Sequence, residues 1–531
     1  MSGARHTVET RSRQLAKVIL KSLIAIFVLV FLLPWLVLLV ERWEDLTSDG
    51  PSYPGLRRTI AQYAIDLQLP SITVAAARDG NIVWEESFGW ADVERQVKAT
   101  PHTMYALAST SKVFTATGLM VLVERGQIDL DRPVGDYLDD PGLRAFEGDL
   151  SDVTLRRIFT HTSGLPRYWS HHYESELGQR PSVRELVRRY GMLVSPPGER
   201  YIYSNVGIGL ARLIIEEISG QDYEGFMQSE VFEPLGLMQT AILKAPYEAE
   251  GIAQKYIGGE KLPFYDMGFH AAGSVWASAH DLVSFGMFHL KDHLPHQKPI
   301  FGDETIDAMF QSVDPRLPHH NFHLPWIEYR HRGFKVMEFG GHVMGGKVSF
   351  RLVPSEDIAV VVMSNGEEAD TQKISNWILN RLLPGFSRMG ILTQIASSVW
   401  RVGSGTSDGR SAFEGRWDGQ IITYEGSVPI RLTINKNGEA RLDCADTRGM
   451  IGRRNRSAPL GTSRIAGNAF GATFPARLPT LDASRADYDV VFDLRLHGDK
   501  LSGPVYCEAK SSLFYFASYA QLTRIRPTPD G

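Results

Sequence analysis

Cysteine is almost absent from this sequence: Cys444 and Cys507 are the only two in 531 residues. Neither has His or Cys neighbours at ligand spacing, which excludes a structural zinc cluster around them. One disulfide in an oxidising compartment, or a pair of buried thiols, both remain open. An excess of either charge is also missing. The formal net charge is -5, which provides no electrostatic footprint for nucleic acid, and that partner class is excluded. Fibrous repeats and a disordered composition are absent as well, since 43% hydrophobic and 22% charged residues are the values of a folded chain.

The first 45 residues differ from the rest. Ser22 to Val40 is uncharged and almost wholly apolar, and at about 1.5 Å per residue it matches the thickness of a hydrocarbon core. Arg5, Arg11, Arg13, Lys17 and Lys21 precede it, whereas Glu41, Arg42, Glu44 and Asp45 follow. Basic residues stay on the cytoplasmic side, so the long C-terminal part is expected across the membrane. The run exceeds a usual signal-peptide core and no small-x-small site follows Val40, which favours an uncleaved anchor. Residues 1–45 are therefore expected to be a basic tail and a single-pass inner-membrane helix. Trp35 and Trp43 suit the far interface, and Pro34 kinks the helix without preventing insertion.

A chain of this length calls for more than one domain. After a polar connector (Thr47 to Pro54), a helical pattern runs through Leu56, Ile60, Tyr63, Ala64 and Leu67. Ile72–Ala77 and Ile82–Trp84 flank Asp79-Gly80-Asn81, the pattern of a β-hairpin. From Ser109 to Val123 the apolar spacing predicts a buried helix. Residues 150–295 read as mostly helical. Val348–Val353 and Ile358–Met363 flank Pro354–Asp357 as a second hairpin, and a helix from Gln372 to Leu383 closes the unit. This is an α+β order, with both ends of residues 46–395 meeting in one antiparallel sheet. Gly403–Gly409 marks a linker over 396–411. Beyond it, 412–531 alternates apolar and polar residues around turns such as Asn437-Gly438, which predicts a small all-β barrel or sandwich without a catalytic constellation.

Three segments carry side chains fit for acyl transfer. Ser109 and Lys112 stand at i and i+3 on one helix face, so hydroxyl and amine can meet. The helix N-terminus adds free N–H groups for an oxyanion, and a desolvated lysine of lowered pKa can accept the serine proton. Tyr203 would relay that proton, its own pKa lowered by the neighbouring ammonium. Asn205, two residues on, would bind a substrate carbonyl and the lysine. Gly340-Gly341-His342-Val343-Met344-Gly345-Gly346 precedes the last hairpin. There a backbone N–H near Gly345 would complete the oxyanion hole, and His342 would donate to the substrate.

In that order these residues resemble the serine β-lactamase-related hydrolases, the class C type with D-alanyl-D-alanine carboxypeptidases, D-aminopeptidases and esterases. Those proteins carry S-x-x-K, then Y-x-N, then K-T-G or H-x-G. The stretch Thr154 to Pro166 is similar to the family's T-L-R-x-L-L-T-H-T-S-G-L-P segment. Pro197-Gly198 leading to Tyr203-Ser204-Asn205, and Pro234-Leu235-Gly236-Leu237, resemble two further elements. The resemblance spans about 55 to 390 and implies a β-lactamase/transpeptidase-like fold with Ser109 as nucleophile. It departs at Met344, where H-x-G would have its glycine. His342 stands where true β-lactamases have lysine, so strong selection of a substrate carboxylate is not expected. The β-rich tail resembles the lipocalin-like domains of some relatives. The resemblance implies a small-molecule or peptide substrate, D-amino-acid peptides or small esters of the cell envelope, and no metal or organic cofactor. A β-lactamase or D-alanyl-D-alanine carboxypeptidase is the alternative, and a non-catalytic envelope scaffold a further one.

Overall fold

The apolar runs around Asp79-Gly80 form the expected hairpin, β1 (Ser71–Arg78) and β2 (Asn81–Asp92), in a computed structural model. Both turn residues are left-handed, φ 49° and 69°, the geometry that matches the twist of the flanking strands. The structure describes residues 53–244, 251–311, 321–383, 385–386, 411–444, 457–485, 487–509 and 514–526. The anchor expected over 1–45 and nearly all of the linker lie outside these. Among the described residues no helix is long and apolar enough to cross a membrane.

The chain divides into two units, Met1–Leu67 and Gln68–Gly531. The described part of the first contains helix α1 (Pro54–Asp66), which begins with proline where its missing N–H is no loss.

In the second unit, α2 (Ser111–Glu124) is buried from Ser111 to Leu122, consistent with a helix apolar on all sides. Helices α3 (Asn205–Ser219), α4 (Ala279–His289) and α5 (Thr371–Leu382) follow. Strands β3 (Phe334–Val343), β4 (Gly346–Val353) and β5 (Ile358–Ser364) complete the main sheet. Its order is 321–322, 327–331, β3, β4, β5, β1, β2, 97–98, antiparallel throughout. β1 and β5 are adjacent, Ala75 opposite Val361, so the early and late segments share one sheet.

Side chains alternate across β4. Ser349 and Arg351 hydrogen-bond Ser375 and Asn376 of α5, whereas Phe350 and Leu352 would meet a Cβ placed on Gly286 of α4. The sheet is thus covered on both faces, and β5 is buried along its whole length.

Eight antiparallel strands between Gly415 and Ile525 form a closed barrel, the last (Tyr515–Ile525) pairing with the first (Gly415–Thr423). Closure leaves no sheet edge exposed. Cys444 and Cys507 are both buried in it and are not joined by a disulfide.

Candidate active site

Ser109 lies in a 3-10 turn, Ala108–Thr110, that leads directly into α2. Ala108 is left-handed, φ 49°, a conformation costing an L side chain about 1 kcal/mol. The turn is held by Leu107 N–H donating to Val275 O at 2.9 Å and Thr110 N–H to Leu107 O at 3.1 Å. Ser109 itself remains half-buried at the floor of a cleft.

Lys112 is fully buried, and its Nζ donates to Ser109 Oγ at 3.2 Å and to Ala272 O at 2.9 Å. Burial holds its pKa well below the usual 10.5, because an ammonium there loses its hydration. Tyr203 Oη donates to the same Ser109 Oγ at 2.7 Å. The motif alone predicts a lowered phenol pKa, and the structure reverses that. Burial raises it, and the Ser109 hydrogen bond offsets only part. The lysine meant to lower it is itself driven towards the neutral form, and its Nζ lies 4.8 Å from the centroid of the Tyr203 ring.

His161, from the T-H-T-S-G-L-P stretch, supports this centre. Its Nδ1 accepts the Ser204 N–H at 3.2 Å, and its ring centroid is 4.3 Å from that of Tyr203. Burial first, then the Lys112 charge, lowers its pKa to about 3. It is a neutral positioning residue. Asn205 is turned differently from expectation: Nδ2 donates to Tyr168 O at 2.8 Å, while Oδ1 is buried without a partner. The unpartnered end is therefore an enclosed acceptor, not the donor that a substrate carbonyl would need.

The third motif also needs correction. Gly345 N–H donates to Glu367 Oε2 at 2.9 Å and His342 Nε2 pairs with Glu367 Oε1 at 2.5 Å. That carboxylate occupies the N–H assigned to an oxyanion hole. Met344 and Gly345 form the two-residue turn between β3 and β4. Met344 packs with Ala108, Tyr265 and Trp276 and is not among the residues lining the cleft that contains Ser109. The glycine that packs against the nucleophile turn is Gly341, where a Cβ would fall 2.0 Å from Leu107 O. Among the described residues, β3 pairs with 327–331 only as far as Glu338. The far edge of Phe339–Val343 is thus open, and alternate N–H groups face it.

The cleft measures about 670 Å³ and is lined by Ser109, Tyr203, Asn205, Gly341 and His342 together with Trp169 and Tyr515. Tyr515 comes from the barrel. Trp169 N–H donates to Tyr515 O at 3.0 Å and Tyr515 N–H to Trp169 O at 2.9 Å, and the Arg167 guanidinium lies 4.5 Å from the Tyr515 ring centroid. Buried Asp482 anchors the contact, accepting from Tyr190 at 2.5 Å, Tyr424 at 2.9 Å and Arg189 at 3.1 Å.

The family model described as Beta-lactamase matches residues 56–383. The chain is 26% identical over 347 residues to "Unguisins hydrolase ungD'" of Aspergillus campestris, covering 62% of this chain and 64% of that protein. To penicillin-binding protein 4* of Bacillus subtilis it is 32% identical over 188 residues, 34% of this chain and 40% of that one. The chain thus spans less than two thirds of the length of these curated relatives. The octameric penicillin-binding protein homologue from Pyrococcus abyssi shares the fold, with TM-score 0.56 and 21% identity over 88% of this chain and 100% of that one.

Proposed function

Because this chain belongs to the beta-lactamase family, we propose that it is a serine hydrolase that cleaves an amide or ester through an acyl-enzyme on Ser109. The observation that carries the reading is that Ser109 Oγ accepts from both Lys112 and Tyr203, at 3.2 and 2.7 Å. Neutral Lys112 takes the Ser109 proton as Oγ bonds to the carbonyl carbon. Tyr203, kept protonated by burial, gives its proton to the departing nitrogen or oxygen and regains one from Lys112. The Ser109 N–H and an N–H from the open edge of β3 near Gly341 hold the oxyanion. Water then repeats the sequence on the acyl-enzyme.

D-amino-acid peptides of the cell envelope fit this reading, with the chain anchored in the inner membrane and the cleft on the periplasmic or extracellular side. A non-catalytic scaffold would rest on Met344, and the position of that side chain outside the cleft lining weighs against it. Labelling with a fluorophosphonate and with a penicillin probe tests the proposal. A covalent adduct on the wild type and none on Ser109→Ala is expected; hydrolysis of an activated ester undiminished in Ser109→Ala overturns it.

A further inference from the structure

Away from the cleft, three side chains from three separate elements bring metal-ligating atoms together. Glu85 projects from β2, His102 from the turn before the nucleophile, and His280 from the first turn of α4. One donor atom from each lies within 4.8 Å of the other two. The fold explains the convergence. Tyr105 and Ala277 are partners in an antiparallel pair, so His102, three residues before one, and His280, three after the other, emerge at the same end. His280 N–H donates to Pro101 O at 3.2 Å, which ties the two segments together. The turn that carries His102 is fixed by Thr103 N–H to Thr100 O and Thr100 N–H to Thr103 Oγ1, both 2.9 Å. His280 Nδ1 and Glu85 Oε2 are 2.9 Å apart, and the two imidazole centroids 4.7 Å.

We propose that Glu85, His102 and His280 form a binding site for one divalent cation of the zinc class. Two imidazoles and a carboxylate are a ligand set that such ions take, with water in the fourth position. Bonds of about 2.0–2.2 Å to a tetrahedral ion put donor atoms roughly 3.3 Å apart. The Glu85–His280 pair is already closer than that, and the exposed His102 ring supplies the remaining adjustment by rotation about its side-chain bonds. The ion would join β2, α4 and the segment that runs through Tyr105 into the Ser109 turn. Its role is structural, and it takes no part in acyl transfer.

The test uses the full chain in detergent micelles, stripped with a chelator and titrated with Zn2+ against a chromophoric competitor. One equivalent is expected to bind. His102→Ala, at an exposed position where folding is least disturbed, should weaken binding by about tenfold or more, since even outer partners of a metal cost that much. Glu85→Gln should do the same, while Ser109→Ala should bind as the wild type does. Co2+ in place of Zn2+ should show visible ligand-field bands that His102→Ala alters. Absence of stoichiometric binding, or binding unchanged in both His102→Ala and Glu85→Gln, overturns the proposal and leaves the cluster an ordinary hydrogen-bonded pair with a second histidine tilted beside it.

Discussion

On one wall of the cleft, Ser109 and Tyr203, with Lys112 behind them, are joined by bonds of 2.7–3.2 Å inside the β-lactamase-like fold, the amine fully buried and the phenol partly so. On the other, Tyr515 arrives from the barrel and is half-buried, held by a two-bond backbone bridge to Trp169. The first arrangement sets proton affinities and admits little variation in geometry. The second sets shape, and its side chain can change without disturbing a proton. On the proposed mechanism chemistry and selectivity are therefore separable, and perturbations on the two walls should have different kinetic signatures.

The largest effect belongs to the first wall. Lys112→Ala should lower kcat about 10³-fold, the range expected for loss of a general base. In the wild type, kcat/KM should rise with pH through the lowered Lys112 pKa, because only the unprotonated amine accepts a proton. That limb should fall well below pH 10.5; a limb at 10.5 would contradict a desolvated base. Next is the third motif. Gly341→Ala forces a Cβ against Leu107 O and should cost about 10²-fold in kcat by displacing the nucleophile turn. Met344→Gly should leave kcat nearly unchanged, and steady-state rates on one activated ester compare the two.

The anchor between the walls comes third. Asp482→Ala strands Arg189, Tyr190 and Tyr424, and should reduce stability by about 3 kcal/mol, measurable by denaturant unfolding. The smallest effect is expected at the barrel side chain itself. Tyr515→Ala should raise KM for a peptide by up to about tenfold, the worth of one aromatic contact, while kcat on a small ester stays constant. A matching fall in kcat would erase the distinction between the walls.

Sequence order reveals the chemical wall because its parts are local. Ser109 and Lys112 are one helical turn apart, and Tyr203 and Asn205 carry a compact signature. The hairpins are legible from turn residues such as Asp79-Gly80, and α5 is displaced by one residue at each end from its expected span, its start fixed by Asp370 Oδ1 accepting the Lys373 N–H at 2.9 Å. Gly341 is missed in favour of Gly345. Choosing between them requires knowing that Met344-Gly345 is the turn, and the glycine pair before His342 is the available clue. The Tyr203 shift is misread because burial, which outweighs the charge of a neighbour, is not visible in a motif. Trp169 and Tyr515 give no signal at all, since their contact joins two folds far apart in the chain.

The strand that carries Tyr515 is also the one whose pairing with Gly415–Thr423 seals the barrel. Shape at the cleft mouth is consequently set by hydrogen bonding further along the same edge of that strand. Damage confined to the seam should first appear as a broadened choice of substrates, with the acylation machinery still intact.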